Sequence, residues 1–169
     1  MVEVYKDREL HVAVFEGTWE FYRCCRVVVS RQHPQKNIPL AMAQDIANAA
    51  LTKCESMGFK VSVVVVDRGG LPIVMLRGDG SGLHTPEGAD RKAYTARTFS
   101  QPSAAFTKRM LDNPNSVGSR HYTRVLALPG GLPIKAGDDV VGAVGVSGSP
   151  GKDDVCSQAG IDKVADQLH

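Results

Sequence analysis

The side chains best suited to chemistry gather around a predicted helix start near position 85. His84, Glu87 and Asp90 are spaced three residues apart, so all three lie on one face of a helix. A histidine with two carboxylates suits a divalent ion such as iron or zinc. The alternative is an acidic first helical turn that complements the positive end of the helix dipole. The spacing therefore predicts a candidate metal site, and the acidic first turn is the alternative explanation for the same residues.

Further candidate residues follow on the same helix and beyond it. Arg91 and Lys92 suit contact with an anionic group, whereas a solvated helix face, with Glu87 and Arg91 paired four residues apart, explains them equally well. His121, beside Tyr122, is a second candidate general base after His84. The sequence contains no G-x-S-x-G motif and no cysteine in an activating context. Nucleophilic catalysis is therefore not indicated.

Composition narrows the class of protein. The 169 residues suffice for one domain, and the hydrophobic fraction of 43% and charged fraction of 22% are those of a globular protein. A net charge of +2 without a basic stripe argues against nucleic acid as a partner. No apolar run is long enough to span a membrane, and the acidic start of the chain does not resemble a secretory signal. We therefore expect a cytoplasmic location, with neither nucleic acid nor membrane as partner.

The four cysteines carry no recognisable metal or redox spacing. Cys24 and Cys25 are adjacent, which is poor geometry for a mutual disulfide, and no C-x-x-C or cysteine–histidine zinc pattern occurs. Cys54 and Cys156 fall at apolar positions of two predicted helices, where a free cysteine acts as a small hydrophobic residue. We expect unpaired thiols in a reducing compartment.

The elements that position these residues are predicted from apolar periodicity and turn residues. Helices are expected at about 40–57, 85–98, 103–112 and 152–168, and strands at 61–66, 71–77, 121–128, 132–135 and 140–146. The strands group into hairpins, which predicts an α/β (α+β) domain with an antiparallel sheet flanked by helices. The runs 61–66 and 140–146 are apolar on both faces, so they are expected to be central strands.

The first part of the chain has a different pattern. Residues 1–38 hold the only tryptophan, Trp19, and two short mixed runs. A hairpin, a helix with a strand, or a poorly ordered tail are all compatible with it. We therefore predict an N-terminal extension over 1–38 and one domain over 39–169. The extension is expected to be dispensable for folding of the rest unless it supplies an edge strand or an intersubunit arm.

Several ordered blocks of the sequence resemble a known family. The blocks are V-V-V-D-R-G-G at 64–70, L-R-G-D-G at 76–80, Glu87 with R-K-A-x-T-A at 91–96, G-G-L-P-I at 130–134 and V-G-A-V-G-V-S-G at 141–148. At this spacing they are similar to the GlcG/HbpS family, which includes the C-terminal domain of PduO-type proteins. The resemblance covers about 39–169.

The resemblance implies a profilin-like or PAS-like fold, compact homo-oligomers and a haem cofactor. His84 and His121 are then candidate axial ligands, Glu87 a candidate partner and Lys92 a candidate contact for the propionates. The pocket is expected where residues 78–84 meet the helix start. The predicted function is a homo-oligomeric haem- or small-ligand-binding protein without catalytic activity. The alternative is a catabolic or accessory enzyme that uses His84, Glu87 and Lys92.

Overall fold

The computed structural model describes residues 35–168, and the elements there follow the apolar pattern closely. In chain order they are α1 Leu40–Ser56, β1 Ser62–Asp67, β2 Pro72–Arg77, α2 Thr85–Phe99, α3 Ser103–Asp112, β3 Gly131–Ala136, β4 Asp139–Ser147 and α4 Asp153–Asp162, with 3₁₀ turns at Pro114–His121 and Ala165–Gln167. The chain divides into two units, residues 1–35 and 36–169. The prediction for 1–38 falls mostly outside the described residues. Ile38, however, is buried in the core of the second unit.

The four strands form one antiparallel sheet in the order β2-β1-β4-β3. Val63 pairs with Val146 and Val65 with Val144 across its middle. The two runs predicted to be central strands, β1 and β4, occupy the two inner positions. This confirms the prediction. A strand can be apolar on both faces only when both faces are covered, as they are for these two inner strands.

Helices cover both faces of the sheet. Val63 and Val65 of β1 pack in the core with α1 and α4, while the alternating Val64 and Val66 pack against α2. α2 presents small side chains to the sheet (Ala89, Ala93 and Ala96). A Cβ at Gly145 of β4 would collide with the backbone of α2. Glycine and alanine therefore let this helix lie very close to the sheet.

The strand predicted over 121–128 is wrong. These residues form the end of a 3₁₀ turn and an irregular segment that runs along α2. The carbonyl of Val125 accepts a hydrogen bond from Arg91 (3.0 Å), and the amide of Leu126 donates to Thr95 Oγ1 (2.8 Å). Side chains of α2 thus satisfy backbone groups that a sheet would otherwise pair.

The prediction of free thiols at Cys54 and Cys156 is also wrong. Both residues are fully buried, as expected, but they form a disulfide between α1 and α4 across 102 residues of sequence. Periodicity placed each cysteine on an apolar face without indicating which helices lie side by side. Disulfides persist mainly in oxidising compartments, so the cysteines no longer support a reducing cytoplasm. Within residues 35–168, no helix combines the length and apolar character needed to cross a bilayer.

Candidate functional site

His84 is the residue directly before α2, and its ring lies beside Gly82. A Cβ at Gly82 would lie 2.9 Å from Cε1 and 3.1 Å from Nδ1 of the imidazole, so the ring occupies the space that a side chain at position 82 would need. The residue is exposed, and no residue within 35–168 hydrogen-bonds to its ring. Both ring nitrogens are therefore available for a ligand from outside this part of the chain.

The start of α2 is anchored to the sheet by a buried pair of hydroxyl groups. Thr85 Oγ1 donates to the carbonyl of Gly82 (2.8 Å) and lies 2.8 Å from Ser62 Oγ at the start of β1. Because the Thr85 hydroxyl has one proton, Ser62 is the donor in the second contact. This anchor holds the exposed His84 on a rigid helix start.

The carboxylates of the predicted metal site turn away from one another. Glu87 Oε1 pairs with Arg91 (3.2 Å), and Asp90 Oδ1 pairs with Arg124 (2.9 Å). Among the described residues, no three histidine, cysteine, aspartate or glutamate side chains come together in a way that could hold a metal ion. The structure therefore gives no support to a metal site formed by His84, Glu87 and Asp90.

Lys92 points into the protein, unlike its neighbour Arg91. Its side chain is 5% exposed, and its ammonium lies 2.7 Å from Asp153 Oδ2 and 3.2 Å from the carbonyl of Val146. Both sequence interpretations, a ligand contact and a solvated helix face, assumed an exposed lysine. In this position Lys92 neutralises a buried carboxylate and is not available to an exposed ligand.

Asp153 belongs to a larger group that the sequence analysis missed. Its Oδ1 accepts hydrogen bonds from the amide (2.9 Å) and hydroxyl (2.7 Å) of Ser149. Ser149 Oγ also lies 3.2 Å from Cys54 Sγ of the disulfide. We refer to Lys92, Ser149 and Asp153 as the buried polar cluster. The sequence feature that could have indicated this cluster is Asp153 itself, an acidic residue at a predicted helix start that follows a glycine-rich loop.

His121 is exposed at the end of the 3₁₀ turn Pro114–His121. Three residues later, Arg124 pairs with Asp90 and stacks over the Tyr94 ring, 4.1 Å from its centroid. The segment after His121 is thereby fixed to the outer face of α2. His84 and His121 thus lie on different elements, and His121 is three residues before the segment that contacts α2.

Two open grooves lie elsewhere, along α1 and α4. Their volumes are about 650 Å³ and 460 Å³. The first is lined by Lys53, Leu132, Asp154, Val155, Gln158, Ala159 and Asp162, and the second by Asp45, Asn48, Ala49, Thr52, Lys53, Ser56, Ala159 and Lys163. Neither groove includes a predicted site residue, so the pocket expected near residues 78–84 stays a prediction.

The structure is an antiparallel sheet flanked by helices, which is the fold class predicted from the sequence. A family model described as "Haem degrading protein HbpS-like" matches residues 38–162. The chain belongs to this HbpS-like family.

Known proteins share the sequence and the fold. An uncharacterized 15.0 kDa protein from the dhaT-dhaS intergenic region of Citrobacter freundii is 33% identical over 113 residues, which cover 66% of this chain and 80% of the relative. A double mutant of HbpS from Streptomyces reticuli is 34% identical with a TM-score of 0.73, and the match covers 82% of this chain and 97% of that one. A PduOC:Heme complex has the same fold at 22% identity, with a TM-score of 0.69 and coverage of 75% and 94%.

Proposed function

We propose that this protein binds haem at the His84 end of α2 and acts as a binding protein. Membership of the HbpS-like family over residues 38–162 carries the proposal. The fold is compatible with such a role, since PduOC was solved with haem. The carboxylates on the same helix, Glu87 and Asp90, are engaged with arginines, which favours binding over acid–base catalysis by His84.

The residues at this end of the helix fit a haem group. Haem iron accepts histidine as an axial ligand, and the macrocycle needs an apolar surface. The ring of His84 lies beside Gly82 and has no hydrogen-bond partner within 35–168, while the adjacent Leu83 is 88% exposed. When bound, haem supplies an iron centre that binds small molecules or exchanges an electron.

The other candidate residues take different places in the proposal. His121 is retained as a second axial ligand, contributed by the same subunit or by a neighbouring one. Glu87 is retained as the polar partner of His84 at the haem site. Its exposed ion pair with Arg91 is weak and easily rearranged, so the carboxylate can turn toward a ligand. Lys92 is omitted, since a propionate would have to compete with the buried Asp153.

Replacing His84 with alanine is expected to weaken haem binding at least tenfold, about 1.4 kcal/mol, because an axial ligand is lost. The measurement is a haem titration followed by the Soret band, with matched His121→Ala and Glu87→Ala variants. Asn115→Ala, an exposed polar change away from α2, serves as the control. If both histidine variants bind like the wild type, the proposed ligands are wrong. A wild-type protein that leaves the haem spectrum unchanged would refute haem binding altogether.

We also propose that the protein is a homo-oligomer. Large apolar side chains are exposed on the described surface, including Leu71 just before the edge strand β2, Met75 within that strand and Leu83 beside His84. Exposed apolar patches commonly mark interfaces, and identical subunits usually pair symmetrically. A second subunit covering Leu83 would also exclude water from a haem at His84.

Light scattering is expected to give at least twice the 18.1 kDa mass of one chain at micromolar concentration. Replacing Leu83 with glutamate should shift the protein toward the monomer, because a charge in an apolar interface is costly. The control is Leu111→Glu on α3, a leucine that is also largely exposed (79%). A monomeric wild type would contradict the proposal, and equal effects of the two variants would place the interface elsewhere.

The family description favours a second function, haem degradation. Incubation of the haem-loaded protein under oxygen separates the two functions. A binding protein preserves the Soret band during incubation with oxygen and a reductant such as ascorbate, whereas a degrading enzyme loses it and releases iron. Loss of the band at a rate well above that of free haem, together with iron release, would replace the binding proposal by the enzymatic one.

A further inference from the structure

The disulfide between α1 and α4 lies against the buried polar cluster. Ser149 Oγ is 3.2 Å from Cys54 Sγ and 4.0 Å from Cys156 Sγ, so one hydroxyl group faces both sulfurs. The same hydroxyl donates to Asp153 Oδ1 at 2.7 Å, and Asp153 is in turn paired with Lys92. A chain of polar contacts therefore runs from the disulfide to the buried ion pair, and the proposed haem site uses none of it.

The Ser149 hydroxyl has a free acceptor on the side of the sulfurs. Its single proton is engaged by the Asp153 carboxylate, and a disulfide sulfur has no proton to donate. The 3.2 Å contact with Cys54 is therefore no hydrogen bond in the oxidised protein. Once Cys54 carries a thiol, its S–H finds an oxygen acceptor at this distance. The site thus offers the thiol state a hydrogen bond that the disulfide state lacks.

Polar contacts also attach the start of α4 to the rest of the domain. Asp153, its first residue, pairs with Lys92 at 2.7 Å. Asp154 accepts a hydrogen bond from the amide of Gly130 (2.7 Å), and Ser157 donates to the carbonyl of the same residue (2.8 Å). None of these contacts involves a sulfur, so they persist when the disulfide opens. The two thiols then stay side by side, in position to form the bond again.

The larger groove along α4 gives a reductant a route toward the pair. It is lined in part by Lys53 and Val155, the residues directly before Cys54 and Cys156. Both sulfurs are fully buried in the closed protein, so exchange requires a local opening of α4. This helix has ten residues, of which four are buried. A short helix with so little buried surface opens at a lower cost than the sheet does.

We propose that Cys54 and Cys156 are a reversible redox couple of the folded protein, and that Ser149 stabilises the reduced form by accepting a hydrogen bond from the Cys54 thiol. The reductant is a dithiol. One of its thiolates attacks a sulfur of the pair to give a mixed disulfide, and its second thiol then displaces the protein cysteine. Two electrons and two protons pass to the protein, and the reductant ends as a cyclic disulfide. The reverse exchange closes the bond.

The test equilibrates the full-length protein with dithiothreitol and its cyclic disulfide at varied ratios, without oxygen. Acid stops the exchange, and N-ethylmaleimide in denaturant then labels the free thiols. Peptide mass mapping counts the label at Cys54 and Cys156 separately from Cys24 and Cys25. Circular dichroism of the same samples reports the fold. We expect one midpoint from either direction of the transition, with the reduced protein still folded.

Two serine variants make the test specific. Ser149→Ala should shift the equilibrium toward the disulfide by about threefold or more, because the Cys54 thiol loses its acceptor. The bonds from Ser149 to Asp153 are made in both redox states, so their loss cancels. Ser157 is equally buried, and its bond to Gly130 is likewise made in both states. Ser157→Ala should therefore shift the equilibrium by less than about twofold.

Three outcomes would overturn the proposal. A pair that excess dithiothreitol leaves oxidised in the folded protein would show a purely structural cross-link. A loss of circular dichroism that coincides with reduction would show the same. Equal equilibrium constants for the wild type and Ser149→Ala would show that the Cys54 thiol gains no hydrogen bond. The wild-type transition decides the first two outcomes without any variant.

Discussion

Replacing Cys54 with alanine is expected to lower the free energy of unfolding by about 2–5 kcal/mol. The disulfide joins residues 102 apart in sequence, so its loss frees a long loop in the unfolded chain. Both sulfurs are fully buried, and the variant also loses packing between α1 and α4. The measurement is urea unfolding followed by circular dichroism.

Two controls separate the cross-link from the side chain. Cys156→Ala and the double variant should be destabilised by nearly the same amount as Cys54→Ala, because each breaks the same bond. A reducing agent should destabilise the wild type and leave the double variant unchanged. Peptide mass mapping should join the segments that contain Cys54 and Cys156. Equal stability of wild type and double variant in oxidising buffer would contradict the prediction.

Replacing Lys92 with methionine is expected to destabilise the protein by about 3–5 kcal/mol. The variant keeps much of the apolar volume but leaves the Asp153 carboxylate buried without its cation. Ser149 still donates two hydrogen bonds to that carboxylate, which compensates only in part. Thermal and urea unfolding measure the loss.

A second substitution tests whether the uncompensated charge is the cause. Adding Asp153→Asn to Lys92→Met removes that charge and keeps an oxygen for Ser149, so the double variant should be more stable than Lys92→Met alone. Lys135→Met, on the exposed side of β3, should change the stability by less than about 0.5 kcal/mol. A double variant less stable than the single one would show that Lys92 acts mainly by packing.

The fold was predictable where local pattern and burial coincide. The β-branched run in β1 and the apolar run in β4 could only be covered strands, and the Thr85-Pro86-Glu87 start located α2 within one residue. The segment 121–128 shows the limit of this reasoning. Its residue types suit a strand, but its backbone partners are the side chains of Arg91 and Thr95, which no local pattern reveals.

The site was predictable in part for a similar reason. Helical spacing correctly grouped Glu87 with Arg91, but it could not reveal that Asp90 pairs with Arg124 from a distant segment. Lys92 could have been placed correctly, since it lies three residues after Ala89 in the stripe that faces the sheet. Its partner Asp153 lies 61 residues away, a contact visible only in three dimensions.

The bond between α1 and α4 has a mechanical consequence. These are the first and last α-helices of the described domain, so tension applied to its two ends passes through Cys54 and Cys156. While the bond is intact, a pulling force can extend only the chain outside this pair. The whole sheet, α2 and the buried polar cluster lie between the two cysteines and carry no load. In a single-molecule pulling experiment, unfolding the oxidised protein would lengthen the chain only by the residues outside the two cysteines. After reduction, the segment between the cysteines, which are 102 residues apart, would extend as well.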